Sequence, residues 1–288
     1  MDELIQLWIR EGFLDGPNAH DLGAFTLDTL EFAYLLEIDE SKQCIEMHDM
    51  IRHAALWLAR DQGRKENNVL VSKGESLMDE TLAKWGDAKW ISLFDCISTN
   101  ANLRSPSCPN LTTLILRDGQ LQSFPEGLFD SMPALKVLDL SRNRWLTELP
   151  SNVGNVTTLH YINLSFTSLA ELSVALGDLI NLKNLESLII SDCESLSEVI
   201  SEEIEFPRLK SISLTSMQNL KRIYPSPGCF PSLSEFRVYK CLLLSQIPFD
   251  MENANSLQKI VGEREWWDNL IWCHGAVKDI CLMKFVSS

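Results

Sequence analysis

The chain contains no uninterrupted apolar run of the roughly eighteen residues that a membrane-crossing helix needs. Its N-terminus, Met1-Asp2-Glu3-Leu4-Ile5, is acidic and lacks the charged-then-apolar order of a secretory signal. Basic residues are few: 25 Lys and Arg stand against 40 Asp and Glu, a formal net charge of −15. Such a balance repels phosphate, which argues against nonspecific binding to nucleic acid or to anionic membranes. The eight cysteines, Cys44, Cys96, Cys108, Cys193, Cys229, Cys241, Cys273 and Cys281, include no C-x-x-C pair. Neither a zinc ribbon nor a dithiol redox motif is therefore indicated. With no signal segment, the expectation is a cytoplasmic chain with reduced thiols.

What the sequence has in abundance is leucine in register. Leu111, Leu135, Leu159, Leu185, Leu209, Leu233 and Leu257 recur in steps of about 24 residues, with one of about 26, inside the range of leucine-rich repeats. Most are followed by an apolar pair: Leu114 and Leu116, Leu138 and Leu140, Ile162 and Leu164, Leu188 and Ile190, Ile212 and Leu214, Phe236 and Val238. That alternation marks a short strand with one buried face. Each strand turns at Gly119, Asn143, Thr167, Cys193, Met217 or Cys241, and Pro125, Pro150 and Pro248 close three of the units. One unit cannot bury its own leucine row, but stacked units make a continuous core with parallel strands. A weaker first unit is expected at Ile91 and Leu93.

The expected fold class is therefore α/β, a leucine-rich repeat solenoid with a parallel sheet and a concave face. Residues between the buried strand leucines fall on that face. The candidates for partner binding are Arg117, Asp118, Asp139, Arg142, Tyr161, Phe166, Asp192, Glu235, Arg237, Tyr239 and Lys240, because rows of Tyr, Phe and Arg are typical protein-binding anchors. Past the last repeat, Trp266, Trp267 and Trp272 are expected to cover the open end of the stack.

The first ninety residues carry no repeat and read as helical. Leu4, Ile5, Leu7, Trp8 and Phe13 fit an amphipathic helix stopping at Gly12, and Phe25, Thr29, Leu30, Ala33 and Leu36 or Glu37 a second. A strand at Cys44-Ile45-Glu46-Met47 precedes a helix that Asp49 can cap, with Ile51, Ala54, Ala55, Leu58 and Ala59 on its apolar face. This order suggests a partial winged-helix α domain over 1–60, a polar linker over 61–86, repeats over 87–261 and a cap over 262–288.

Here the sequence resembles a family. The stretch Leu4-Ile5-Gln6-Leu7-Trp8-Ile9-Arg10-Glu11-Gly12-Phe13 looks like the start of the winged-helix part of plant NLR disease-resistance proteins (nucleotide-binding, leucine-rich repeat immune receptors). Met47-His48-Asp49 matches the MHD motif of that family, and Ile51 to Ala59 the helix after it. The tail Gly262-Glu263-Arg264-Glu265-Trp266-Trp267 is similar to the end of coiled-coil-type members. The resemblance implies that His48 contacts a nucleotide phosphate and that Asp49 helps to hold a closed, ADP-bound state. Read from the residues alone, Asp49 is a helix cap and His48 a local hydrogen-bonding group. No G-x-x-x-x-G-K-[ST] occurs in the chain, so it lacks the phosphate cradle of a P-loop. The expectation is no cofactor in this chain, ADP or ATP being bound by the full-length family, and no measurable ATP hydrolysis.

Other chemistry finds little support. Cys44, His48 and His53 lie close in sequence, as do Cys273, His274 and Cys281, but neither spacing is that of a zinc site. No arrangement of nucleophile, base and oxyanion donors is legible, so an enzyme is not expected. The reading is a recognition and autoinhibition segment of a plant intracellular immune receptor. Its expected partners are a pathogen effector or guarded host protein and the missing nucleotide-binding domain of the same receptor. The alternative is a repeat scaffold without signalling.

Overall fold

A computed structural model describes residues 2–16, 18–39, 44–65, 68–98, 105–122, 124, 127–149, 151–169, 182–200, 205–224 and 229–287. The chain divides into two compact units, Met1–Leu70 and Val71–Ser288.

In the first unit, helices α1 (Asp2–Arg10) and α2 (Ala19–Phe32) are followed by strands β1 (Glu37–Asp39) and β2 (Cys44–Glu46) and helix α3 (Asp49–Ala59). The two strands pair antiparallel, with Ile38 opposite Ile45. The sequence reading anticipated three helices and the second strand, and missed the first. The core is Ile5, Leu14, Ala19 and Leu27, with Leu4, Trp8, Ile9, Ala24, Leu36 and Ile45 packed around it. Helix α2 turns Ala19, Gly23 and Leu27 inward rather than the expected Phe25 face, and Phe25 is 68% exposed. The reason is close approach: a Cβ on Gly23 would lie 2.5 Å from Ile5 Cγ2, so the small residues take the contact. The expected apolar face of α3 is also not buried. Ile51 is half-buried, and Ala54, Ala55, Leu58 and Ala59 are exposed. The core cluster reaches Leu36 and Ile45 beside the hairpin and takes no residue from α3.

The second unit is built on a sheet of ten strands. In chain order they are β3 (Val69–Lys73), β4 (Trp90–Phe94), β6 (Thr113–Arg117), β8 (Val137–Asp139), β9 (Tyr161–Asn163), β10 (Ser187–Ser191), β11 (Ser211–Thr215), β12 (Glu235–Tyr239), β13 (Lys259–Gly262) and β14 (Phe285–Ser287). Each lies beside the next in sequence order, and the registered pairs from β4 to β14 are parallel. A short parallel pair, β5 (Ile97–Ser98) with β7 (Gln120–Leu121), runs beside them. Register puts Ile91, Leu114, Leu138, Ile162, Leu188, Ile212, Phe236 and Ile260 in one row, and all are buried. The register leucines from Leu111 to Leu257 are also buried, as is Pro248. Pro125 and Pro150 lie outside the described residues. This is the parallel-sheet solenoid expected from the repeat, including its first unit at Ile91 and Leu93.

Two segments differ from the expectation. The stretch 61–86 is not a plain linker: it supplies β3 and helix α4 (Asp79–Leu82), and Leu77, Leu82 and Trp85 are buried. Its apolar residues are sparse but spaced so that they turn inward at the first end of the stack. The C-terminal segment adds β14 as a further strand beside β13. Before it come α5 (Met251–Ser256), α6 (Arg264–Asp268) and α7 (Gly275–Leu282). A capping box between Asp250 and Asn253 starts α5.

The tryptophans close this end. Trp266 and Trp267 are buried, the Trp266 ring lies 6.2 Å from that of Phe236, and Trp267 stacks on Phe285 at 4.3 Å. Trp266 Nε1 donates to the Leu244 carbonyl at 3.0 Å, which satisfies the indole's polar group inside the core. Gly262 is required beside it, since a Cβ there would sit 2.5 Å from the indole.

Candidate functional site

Strand alternation sets which side chains the sheet offers. On β11 and β12, Ile212, Leu214, Phe236 and Val238 are buried, while Ser213, Thr215, Glu235, Arg237 and Tyr239 point to the open face. Arg237 pairs with Glu235 on its own strand at 2.8 Å, and Lys240 lies over the Tyr239 ring at 5.2 Å. Glu235, Arg237 and Tyr239 are thus accessible together on this strand, with Lys240 beside them just past its end.

Two expected contact residues are not accessible. Asp139 and Tyr161 are fully buried. Asp139 is held by its neighbours: Arg117 Nε donates to its Oδ2 at 2.9 Å, and Ser141 donates to Oδ1 from both backbone N, at 3.0 Å, and Oγ, at 2.7 Å. Asn163 Nδ2 donates to Oδ2 from the next strand at 3.3 Å. Charge and polar capacity are consumed inside the network, so Asp139 organises the face and fixes Arg117 instead of meeting a partner. Tyr161 lies between Val137 and Ser187, its register partners on the two flanking strands, and is covered there.

The remaining candidates, and Lys240 with them, fall on a rim rather than on the strands. Asp118, Arg142, Phe166, Asp192 and Lys240 each follow a strand in left-handed conformation, with φ of 54°, 62°, 57°, 52° and 53°, and Asp95 and Ser216 do the same at 53°. The strained turn swings each side chain off the sheet edge. It also aims each N–H at the next repeat, so that Arg142 N donates to Ser165 O at 2.8 Å and Phe166 N to Ser191 O at 2.7 Å. Along this rim run two adjoining hollows of about 360 and 340 Å³ that share Arg144 and Phe166. Sequence reasoning missed Arg144, the 61% exposed Trp145, and Glu194. The signal was available for Trp145, a large apolar residue that directly precedes the buried Leu146.

In the first unit His48, not Asp49, caps α3. His48 is extended, and its Nδ1 accepts the Met50 N–H at 3.2 Å. That bond uses Nδ1 as the acceptor that satisfies one of the helix's first N–H groups. Asp49 lies in the first turn and pairs with Arg52 at 3.1 Å; the Arg52 hydrogen bond and charge hold its carboxyl below the usual range. His48 also lines a hollow of about 560 Å³ with Glu31, Tyr34, Leu35, Leu36, Glu37 and Ile51.

The buried cysteines among the described residues offer no reactive centre. Among the described residues seven form no disulfide, and of these all but Cys273 are buried. Burial pushes the Cys96, Cys241 and Cys281 thiols up to about 11 and those of Cys108 and Cys229 to about 12. Such thiols are protonated and inert near neutral pH. Among the described residues no group of three or more His, Cys, Asp or Glu is placed to hold a metal ion. No described helix is long and apolar enough to cross a membrane.

A sheet of parallel strands, one per repeat, with a register row of leucines beneath it defines a leucine-rich repeat protein, and a leucine-rich repeat family model matches residues 109–169. The relatives of the chain are plant disease resistance proteins. It is 34% identical to "Probable disease resistance protein At1g15890" of Arabidopsis thaliana, over 75% of this chain and 25% of that protein. It is 37% identical to "Probable disease resistance protein At5g43730", over 60% of the chain and 21% of the relative. To "Disease resistance protein RPS5" it is 34% identical, over 64% and 22%; both are also from Arabidopsis thaliana. The chain thus spans about a quarter or less of the length of these relatives.

Proposed function

We propose that this chain is the recognition and autoinhibition segment of a plant intracellular immune receptor acting in the cytoplasm, and that it binds protein partners rather than catalysing a reaction. The partners are a pathogen effector or a guarded host protein, and the nucleotide-binding domain of the same receptor. Carrying this reading is the accessible Glu235, Arg237, Tyr239 and Lys240 cluster on a repeat sheet whose relatives are disease resistance proteins.

In this reading the first unit is part of a winged helix, and His48 and Asp49 occupy the switch position. Their fit to a nucleotide within this chain alone is poor. The hollow beside His48 carries the carboxylates of Glu31 and Glu37, which oppose a phosphate, and the sequence has no phosphate cradle. The chain by itself therefore leaves ADP unbound, and the role of His48 is a contact made only within a larger receptor. Tight ADP binding by isothermal calorimetry on the purified chain contradicts this.

The test of recognition is proximity labelling in leaf tissue with the full chain and with a variant in which Glu235, Arg237, Tyr239 and Lys240 are alanine. The expected result is loss of a defined set of labelled proteins with an unchanged circular dichroism spectrum. An unchanged set of labelled proteins counts against the open face as the binding surface.

A further inference from the structure

The rim beside the sheet carries features that the internal packing leaves unused. Arg142 is committed: its guanidinium lies 5.3 Å from the Phe166 ring centroid and 3.7 Å from an Asp118 carboxylate oxygen. This fixes Phe166 and Arg142 as one rigid ledge between the two hollows. Trp145 lines one hollow with 61% of its surface in solvent. Asp192 and Glu194 line the other. Among the described residues the carboxylates of Asp192 and Glu194 and the guanidinium of Arg144 have no ion-pair partner. Two carboxylates and one guanidinium thus line the same hollow without an ion pair among the described residues, next to the hollow that Trp145 lines and with Phe166 shared between the two.

We propose that this rim groove is a second protein-binding surface, distinct from the open face, and that it takes a partner segment presenting a lysine or arginine next to an apolar side chain. The proposal rests on reading the repeat unit as a binding module. The basic group sits between Asp192 and Glu194, and the apolar side chain lies against Trp145 and Phe166. Charge selects the occupant: the local excess of carboxylate and the chain's net charge of −15 both draw a basic segment and repel an acidic one. Rigid aromatic surface supplies the anchor at low entropic cost, because Phe166 is already pinned by Arg142.

A phage-displayed library of random short peptides, panned on the full chain, tests this. Enriched peptides are then measured by fluorescence anisotropy on the wild type, on Trp145→Ala, on the double variant Asp192→Lys/Glu194→Lys and on Tyr239→Ala. The expected result is peptides that pair a basic with an apolar residue and bind roughly tenfold more weakly to the first two variants, the size of one hot-spot contact. They bind equally well to Tyr239→Ala, and added salt weakens them. Peptides lost only on Tyr239→Ala overturn the rim groove while leaving the open face standing as a binding surface. Peptides without basic residues, peptides indifferent to Trp145→Ala, or no enrichment at all also overturn it.

Discussion

The Glu263 carboxylate accepts the backbone N–H of Lys240 at 2.8 Å, in the place where each earlier repeat offers a carbonyl. The rim residues Asp95, Asp118, Arg142, Phe166, Asp192 and Ser216 donate in turn to the carbonyls of Arg117, Ser141, Ser165, Ser191, Thr215 and Tyr239. The ladder of left-handed turns ends at Lys240, and Glu263 supplies a side-chain acceptor for the last of them. Glu263 is the N-cap of α6, the helix that carries Trp266 and Trp267, so it ties the final repeat to its cover. Glu263→Ala is expected to cost about 1 kcal/mol, near the low end for a charged hydrogen bond because the site is exposed. Glu263→Gln retains an acceptor and is expected to lose less. Urea unfolding of the three proteins checks the order.

The Asp139 network calls for a larger effect. Asp139→Ala removes the acceptor of Arg117, Ser141 and Asn163 together and leaves a guanidinium that is only 23% exposed without its carboxylate. Losing one partner of a buried pair is expected to cost roughly 2–4 kcal/mol, whereas Asp139→Asn keeps part of the bonding and falls between. A midpoint in urea for Asp139→Ala equal to that of the wild type would show that the network contributes nothing to stability.

Much of this architecture was legible because stacking imposes one chemistry at one register position in every repeat. Leu114, Leu138 and Ile162 had to be buried together, since each covers the next. The rim and the first unit were less legible. A period of two says that Asp139 and Tyr161 point away from the leucines, but not that flanking strands and a local carboxylate network cover them. Hydrophobic size favoured Phe25 as the inward residue of α2, yet helix approach at Gly23 decided the face. Within 61–86, single residues such as Trp85 carry the packing, too sparse for any periodic pattern. The rim depends on a backbone φ that Asp, Arg, Phe, Ser and Lys all adopt, so residue identity did not announce it.

Gly262 gives a sharper test of the cap. A methyl group there meets Trp266 carbons at 2.5 and 2.6 Å and the Val238 carbonyl oxygen at 3.1 Å. The indole cannot withdraw freely, because Nε1 is bonded to the Leu244 carbonyl and the ring is buried against Phe236. Gly262→Ala is expected to destabilise by about 1–3 kcal/mol through overpacking. Near-ultraviolet circular dichroism is expected to change with it, since the tryptophan packing must shift. An unaltered spectrum with unaltered stability would place the indole elsewhere.

Thiol chemistry separates the solenoid interior from its surface. At neutral pH a maleimide is expected to label Cys273 in the native chain and to leave Cys96, Cys108, Cys193, Cys229, Cys241 and Cys281 protected until urea unfolds it. The pH dependence follows from the sign of the shifts. Burial raises the folded-state thiols of Cys96 and Cys241 from an ordinary 9.0 to about 11, and that of Cys108 to about 12. The unfolded chain therefore releases these protons first as pH rises. Stability from these groups is fully present below about 9 and declines from there through about 11 to 12. Urea midpoints measured from pH 7 upward are expected to stay level on this account until about 9 and then fall. Replacing Cys96 and Cys108 with alanine lowers stability throughout by removing buried volume, but it is expected to flatten the alkaline decline. A decline of undiminished slope in that double variant would assign the effect to other groups.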